Sequence, residues 1–123
     1  MLDAHFPGRP QIDAYGNGGF RFADMSHKGS ILILPSGVYA WTPGDIANFQ
    51  IEDFTQILAE ASGIDFLLLG TGDDFVPVSQ TIHTQIRAKG INLDIMSTGA
   101  AARIWNVVLG EGRRFAAAFV AVD

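Results

Sequence analysis

The apolar positions of the chain change their rhythm near its middle. Before it they fall in short runs, Ile12 to Tyr15, Phe20 to Phe22, Ile31 to Leu34 and Val38 to Trp41, each bounded by glycine, proline or asparagine. Short runs rich in β-branched and aromatic residues predict strands. Gly16-Asn17-Gly18-Gly19 joins the first two as a hairpin turn, Pro35-Ser36-Gly37 joins the second two, and Pro43-Gly44-Asp45 closes that hairpin. Beyond residue 50 the pattern alternates between periods. Asp53 caps a helix predicted over Phe54 to Ser62, with Phe54, Ile57, Leu58 and Ala61 on one stripe and Gly63 as its stop. Ile64 to Leu69 reads as a buried strand that runs into Gly70-Thr71-Gly72.

Ser79 then opens a helix through Lys89, with Ile82 and Ile86 facing inward and Gly90 ending it, and Ile91 to Ile95 alternates as a strand. Ser97 or Thr98 opens the last helix, which runs to about Leu109, and Arg113 to Val122 is the final strand. That strand is apolar on both faces, so it belongs at the centre of a covered sheet. Ala101, Ile104, Trp105 and Val108 form the stripe predicted to pack on that sheet. Strand, helix, strand, helix, strand at these loop lengths means βαβ crossovers. The expected architecture is a β-rich N-terminal layer joined to a compact α/β half, in one domain spanning 1–123.

Composition adds exclusions. With 123 residues, 48% of them hydrophobic, there is material for one core and no case for disorder. The longest near-continuous apolar run, Phe115 to Val122, is too short for a membrane-spanning helix, which needs about 20 residues. The opening MLDAHFPGRPQIDAY has no basic region followed by an apolar segment, so no secretory signal is expected. Without cysteine there is no disulfide, thiolate metal site or cysteine nucleophile, which suits a reducing cytosol. The net charge is −5, and apart from Arg113–Arg114 the basic residues are scattered. Nucleic-acid binding, which needs a basic stripe, is disfavoured.

Candidate chemistry is sparse. Gly70-Thr71-Gly72 follows a buried strand, where α/β proteins place ligand loops, but it completes neither the dinucleotide nor the Walker pattern. Asp73 and Asp74 follow and would repel an anion; a tight turn that lets backbones approach closely is the other reading. No metal site is expected, since Asp73 and Asp74 lack a third ligand at suitable spacing and His5, His27 and His83 are dispersed. His83 is expected on a solvated helix face beside Arg87, and Trp41 and Trp105 in the core. Ser36 sits in no nucleophile elbow, and no catalytic residue is assigned.

The last helix carries a separate polar-and-small row of Arg103, Asn106 and Gly110, with Glu111 expected within reach of Arg103 or Arg113. This row either holds an ion pair that orients the turn or lines a cleft for an anionic or amide ligand. Thr98 is either the helix cap or part of the same corner.

The chain resembles a known family in an ordered set of residues. These are Ile12-x-x-Tyr15-Gly16, Gly19-Phe20-Arg21-Phe22, Gly29-Ser30-Ile31-Leu32, Trp41, Gly70-Thr71-Gly72, Met96-x-Thr98-x-x-Ala101-x-Arg103-x-x-Asn106 and Glu111-Gly112-Arg113-Arg114. The set is similar to the domain-of-unknown-function family that includes the mitochondrial NADH dehydrogenase (complex I) assembly factor 3. The resemblance implies an α+β / α/β class: a single three-layer β+α/β domain with a β-hammerhead-like N-terminal half, a mixed central sheet and about three helices. It also implies a non-catalytic, cofactor-free role with protein partners, such as respiratory complex I subunits or other assembly factors. The implied location is cytoplasmic, or peripheral at the inner membrane through a partner. Expected contacts to a partner or ligand are Gly70, Thr71, Gly72, Thr98, Arg103, Asn106, Glu111 and Arg113. A small-molecule module with a cleft near Gly70–Gly72 and Arg103/Asn106 is the competing reading.

Overall fold

A computed structural model describes residues 8–123. His5 and the first seven residues of the segment expected to lack a secretory signal lie outside the described residues. Three strands, β1 (Ala14–Gly16), β2 (Gly19–Phe22) and β3 (Met25–Lys28), form an antiparallel sheet in that order. The turn between β1 and β2 takes positive φ at Gly16, Asn17 and Gly18, which is why the sequence there is glycine and asparagine. β3 is polar and mostly exposed, so no apolar run announced it.

A second sheet holds β4 (Ile31–Leu34), β5 (Gly37–Ala40), β6 (Phe66–Gly70), β7 (Asn92–Met96) and β8 (Phe115–Phe119) in the order β5-β4-β8-β6-β7. It is mixed: β8 pairs antiparallel with β4 and parallel with β6, and β6 pairs parallel with β7. The final strand is central, as its two apolar faces require, and all five of its residues are buried. Alternation sorts the side chains. Leu32, Leu34, Leu67, Leu69, Ala116 and Ala118 face one core, while Ile31, Ile33, Leu68, Phe115, Ala117 and Phe119 face the other.

Helices cover both faces. Helix α2 (Gln80–Ala88) leads from β6 to β7 and packs Ile82 and Ile86 into the first core. Helix α3 (Thr98–Val108) leads back from β7 past β6 to β8 and packs Ala101, Ala102 and Trp105 into the second. Two crossovers of one hand running in opposite directions along a sheet must lie on opposite faces. Phe20 and Phe22 of the three-stranded sheet share the second core with α3. The result is three layers, with the five-stranded sheet in the middle.

Several boundaries differ from the sequence reading. The helix expected over 54–62 is broken into a 3-10 turn (Ile51–Phe54), a single α turn α1 (Thr55–Leu58) and a second 3-10 turn (Ala61–Gly63). Asp53 does not cap it. Its carboxylate accepts instead from the backbone N–H groups of Gly44 (2.9 Å) and Gln50 (2.8 Å), fastening the loop that precedes it. That loop seats a cluster in which Trp41 stacks on Phe49 at 6.0 Å and Phe54 tilts against both. Asp45 ends no hairpin; its side chain accepts from Ala47 N and starts a 3-10 turn.

The buried stripe of α3 is also rotated from the expected one. Thr98, Ala101, Ala102 and Trp105 are buried, whereas Ile104 is 40% exposed. Small residues at 98, 101 and 102 let the helix axis approach the sheet, and Trp105 fills the space beyond them, edge-on to Phe119 at 6.5 Å. Because Ala117 faces this tight layer with no exposed surface, Ala117→Leu is expected to lower unfolding free energy by about 1–3 kcal/mol through overpacking. Urea denaturation measures it, and an unchanged midpoint contradicts the packing described.

Candidate functional site

Ligands of α/β sheets gather at the carboxyl ends of strands where the strand order reverses. Here that point lies between β6 and β7, whose outgoing chains lead to helices on opposite faces, and Gly70, Thr71, Gly72 and Thr98 all converge on it. A side chain at Gly70 would put its Cβ 2.8 Å from Thr98 Cα and 3.2 Å from Phe119 Cδ1. The glycine therefore allows α3 to begin directly against β6. Ser97 is the cap of α3, accepting from Ala100 N at 3.4 Å. Thr98 is left for another task. Its fully buried hydroxyl donates to Val120 O at 2.7 Å and accepts from Gly72 N at 3.0 Å, while its own N–H donates to Gly72 O at 2.8 Å.

Thr71 closes the other side. Its hydroxyl donates to Asp74 O at 2.7 Å, with Met96 O at 3.2 Å, and accepts from Val76 N at 3.0 Å. Its backbone N–H donates to Met96 O and Val120 N–H to Gly70 O. The Gly72 N–H, the donor an anion would want, is thus taken by Thr98. The crevice is a knot of protein–protein hydrogen bonds, and Gly70-Thr71-Gly72 is the close-approach turn. Asp73, Asp74 and Phe75 lie exposed on its outer side, Phe75 to 58%.

Asn106 lies elsewhere on α3, eight residues and about 12 Å of helix from Thr98. Its amide forms two reciprocal bonds with one backbone residue: Ile12 N donates to Asn106 Oδ1 and Asn106 Nδ2 donates to Ile12 O, both at 2.8 Å. Trp105 Nε1 donates to Pro10 O at 2.8 Å, and Arg9 Nη1 to Phe115 O at 3.0 Å. Together these hold residues 9–12 as an extended strap across α3 and β8. Arg103 is exposed and, with Ile12, Tyr15 and Asn106, borders a shallow groove of about 320 Å³ beside the strap.

Glu111 and Arg113 are at the far end of the sheet, since β8 begins at Phe115 beside Phe66 and ends at Phe119 beside Gly70. Both are exposed, and among the described residues Glu111 forms no ion pair with Arg103 or Arg113. Gly112, in the left-handed conformation at φ 72°, turns the chain between them. Arg113 lies over the Phe66 ring, 5.7 Å from its centroid. The ion pair of this end belongs to Arg114, whose guanidinium holds both oxygens of Asp65 at 3.0 and 2.7 Å and also reaches Ser62 O. That hydrogen bonding holds the Asp65 carboxyl below its ordinary value and raises Arg114. The pair's contribution is therefore present above the ordinary Asp range and lost as pH falls through the lowered Asp65 value. Both side chains are about half exposed, so screening keeps it small.

The eight expected contact residues thus fall in three places: the knot (Gly70, Thr71, Gly72, Thr98), the strap clamp with its groove (Asn106, Arg103) and the far turn (Glu111, Arg113). Nothing in the sequence signalled the strap, because its bonds join residues 94 to 106 positions apart. His83, half-buried, and Arg87, exposed, lie on one side of α2, and both tryptophans are buried. Among the described residues no group of three or more acidic or histidine side chains is placed to hold a metal ion, and no helix is long and apolar enough to cross a membrane.

Residues 12–120 match the model of a family described as protein of unknown function (DUF498/DUF598). The chain belongs to this family. It is 37% identical to an uncharacterized protein of Rhodobacter capsulatus over 94% of this chain and 87% of that one. It is 26% identical to the mouse NADH dehydrogenase [ubiquinone] 1 alpha subcomplex assembly factor 3, over 98% of this chain and 65% of the mouse protein's length. A crystal structure of a Bartonella henselae protein, described as an outer membrane protein, superposes with a TM-score of 0.90 at 48% identity. It covers 97% of this chain and 100% of that one.

Two substitutions separate the roles within the family domain. Thr98→Val removes the hydroxyl and leaves Val120 O and Gly72 N unpaired, so it is expected to cost about 1–3 kcal/mol. Thr98→Ser keeps the hydroxyl and is expected to cost about 0.8 kcal/mol for the lost methyl; chemical denaturation that ranks serine below valine contradicts the knot. Asn106→Ala is expected to speed hydrogen exchange at the Ile12 amide more than at β8, and equal protection in both proteins would count against the clamp.

Proposed function

We propose that the protein is a non-catalytic protein-binding factor, assembly or chaperone-like, that serves respiratory complex I. The likeness to the mouse assembly factor across nearly the whole chain carries this reading. The fold supports it in a second way. The strand-end crevice where an α/β domain would seat a small molecule is filled by Thr98 and Thr71, and the surface instead offers isolated exposed apolar side chains. Phe75 stands on the loop after Gly70–Gly72, and Ile104 and Val107 flank Arg103 on α3, Val107 at 68% exposure.

Aromatic and arginine side chains dominate the energetics of protein contacts. The proposed contacts are the Gly70–Asp74 loop carrying Phe75 and the row of Arg103, Glu111 and Arg113. Gly70, Thr71, Gly72, Thr98 and Asn106 act by setting the shape of that surface. The partners are complex I subunits or other assembly factors, and nucleic acid is not among them. The location is the cytoplasm, with attachment to the inner membrane through a partner.

Affinity capture from the native cells tests the function. Complex I subunits or their assembly proteins are expected with tagged protein, and Phe75→Ala with Arg103→Ala should reduce their yield by about tenfold or more, as hot-spot losses do. No partner, together with full complex I activity in a deletion strain, sinks the proposal. Cell fractionation tests the location: soluble or salt-washable inner-membrane protein is expected, and recovery with outer membranes overturns it.

A further inference from the structure

β7 is the last strand of the five-stranded sheet, and its outer edge is unpaired by any described strand. Asn92 N donates to Asp65 O and Met96 O accepts from Thr71 N, so the backbone groups of residues 92, 94 and 96 point toward β6. Alternation then turns the N–H and C=O groups of Leu93 and Ile95 outward. Beside this edge, between β7 and α2, runs an open groove of about 700 Å³. Gln80, His83, Thr84, Arg87, Ile91 and Leu93 line it.

The groove is basic in an acidic protein. From Phe75 to Leu93 the chain has Arg87 and Lys89 and no aspartate or glutamate, although the net charge is −5. Arg87 is exposed and has no ion pair among the described residues. Asp94 also borders the groove, but Leu93 and Ile95 face the core under α2 while Met96 faces the other. By alternation Asp94 shares the Met96 face, away from Arg87. Unpaired strand edges invite an added strand, which gains main-chain hydrogen bonds from the edge and specificity from alternate side chains.

We infer that the β7 edge takes an extended acidic segment of a partner protein as a sixth strand, with its acidic side chains in the groove against Arg87 and His83. The inference rests on the protein-binding reading above and names the chemistry of the partner. A second copy is the poorer occupant. Two-fold pairing of β7 strands would set two α2 helices side by side and bring their Arg87 and Lys89 charges together.

A capped heptapeptide alternating glutamate and valine is the probe, with lysine in place of glutamate as its control. NMR hydrogen exchange on the whole chain should show Leu93 and Ile95 amides protected by the glutamate peptide and not by the lysine peptide. R87E, at an exposed position, should keep the wild-type melting temperature, weaken the glutamate peptide by about five- to tenfold and favour the lysine one. No protection at millimolar glutamate peptide, or equal affinity in R87E, overturns the inference. So does doubled mass on sedimentation with the edge protected in the absence of peptide, which would assign it to a second copy. In cells, wild-type and R87E baits recovering complex I subunits equally overturns the edge assignment while the protein-binding reading stands. Loss of recovery with R87E supports the assignment. If the wild-type bait recovers nothing, the protein-binding reading fails, and the peptide experiment decides the edge by itself.

Discussion

One buried hydroxyl holds the two halves of the α/β unit in register. Thr98 sits where β6 ends, α3 begins and β8 runs out, and its oxygen serves both Gly72 N and Val120 O. Strands that are paired along their length still need their ends fixed, because the loops leaving them carry backbone groups that the ladder no longer satisfies. A side chain that both donates and accepts can satisfy two such groups at one point, and a fully buried one gains from the absence of competing water. Gly70 is the complement of this arrangement: it leaves the space the helix start occupies. The same bond network that stabilises the layer also occupies the donors a small ligand would use. Stability and the filling of the strand-end crevice have one cause.

The central sheet explains where surface chemistry is left over. β8 lends both of its faces to packing, and its three alanines leave room for bulkier neighbours: Phe20 and Trp105 on one side, the Trp41–Phe49–Phe54 cluster in the other core. What remains for recognition lies at the margins. These are the outer side of α3, the loop beyond the knot and the uncovered strand edge. The middle of the domain is closed by packing, and its exposed side chains lie at the periphery.

The pattern of apolar positions carried much of this. Ser79, Gly90 and the unbroken apolar run of 31–34 placed α2 and β4 because each is a local signal: a cap, a left-handed stop, a short apolar run closed by a turn. The centrality of β8 followed from its lack of a polar face. Three features were not local and were not legible. β3 has little apolar content and exists because β2 offers it a ladder. The helix expected at 54–62 yielded to Asp53, whose carboxylate was drawn to the backbone of Gly44 and Gln50. The Asn106–Ile12 clamp depends on a contact across 94 residues, for which neither end has a distinctive neighbourhood. For the same reason the polar row of α3, one row in sequence, divides in space into a clamp, a groove and a far turn.

The strap has a consequence for how the protein is made. Residues 9–12 are synthesised long before the groups that fix them, on Trp105, Asn106 and Phe115, which lie 94 to 106 positions later. β4, central in its own right, likewise waits for β8. Contacts of such separation slow folding, because the chain must close long loops before anything is gained. Without β8, the strand that joins them, β4 and β6 have no ladder between them, and the two apolar faces of the middle layer cannot close.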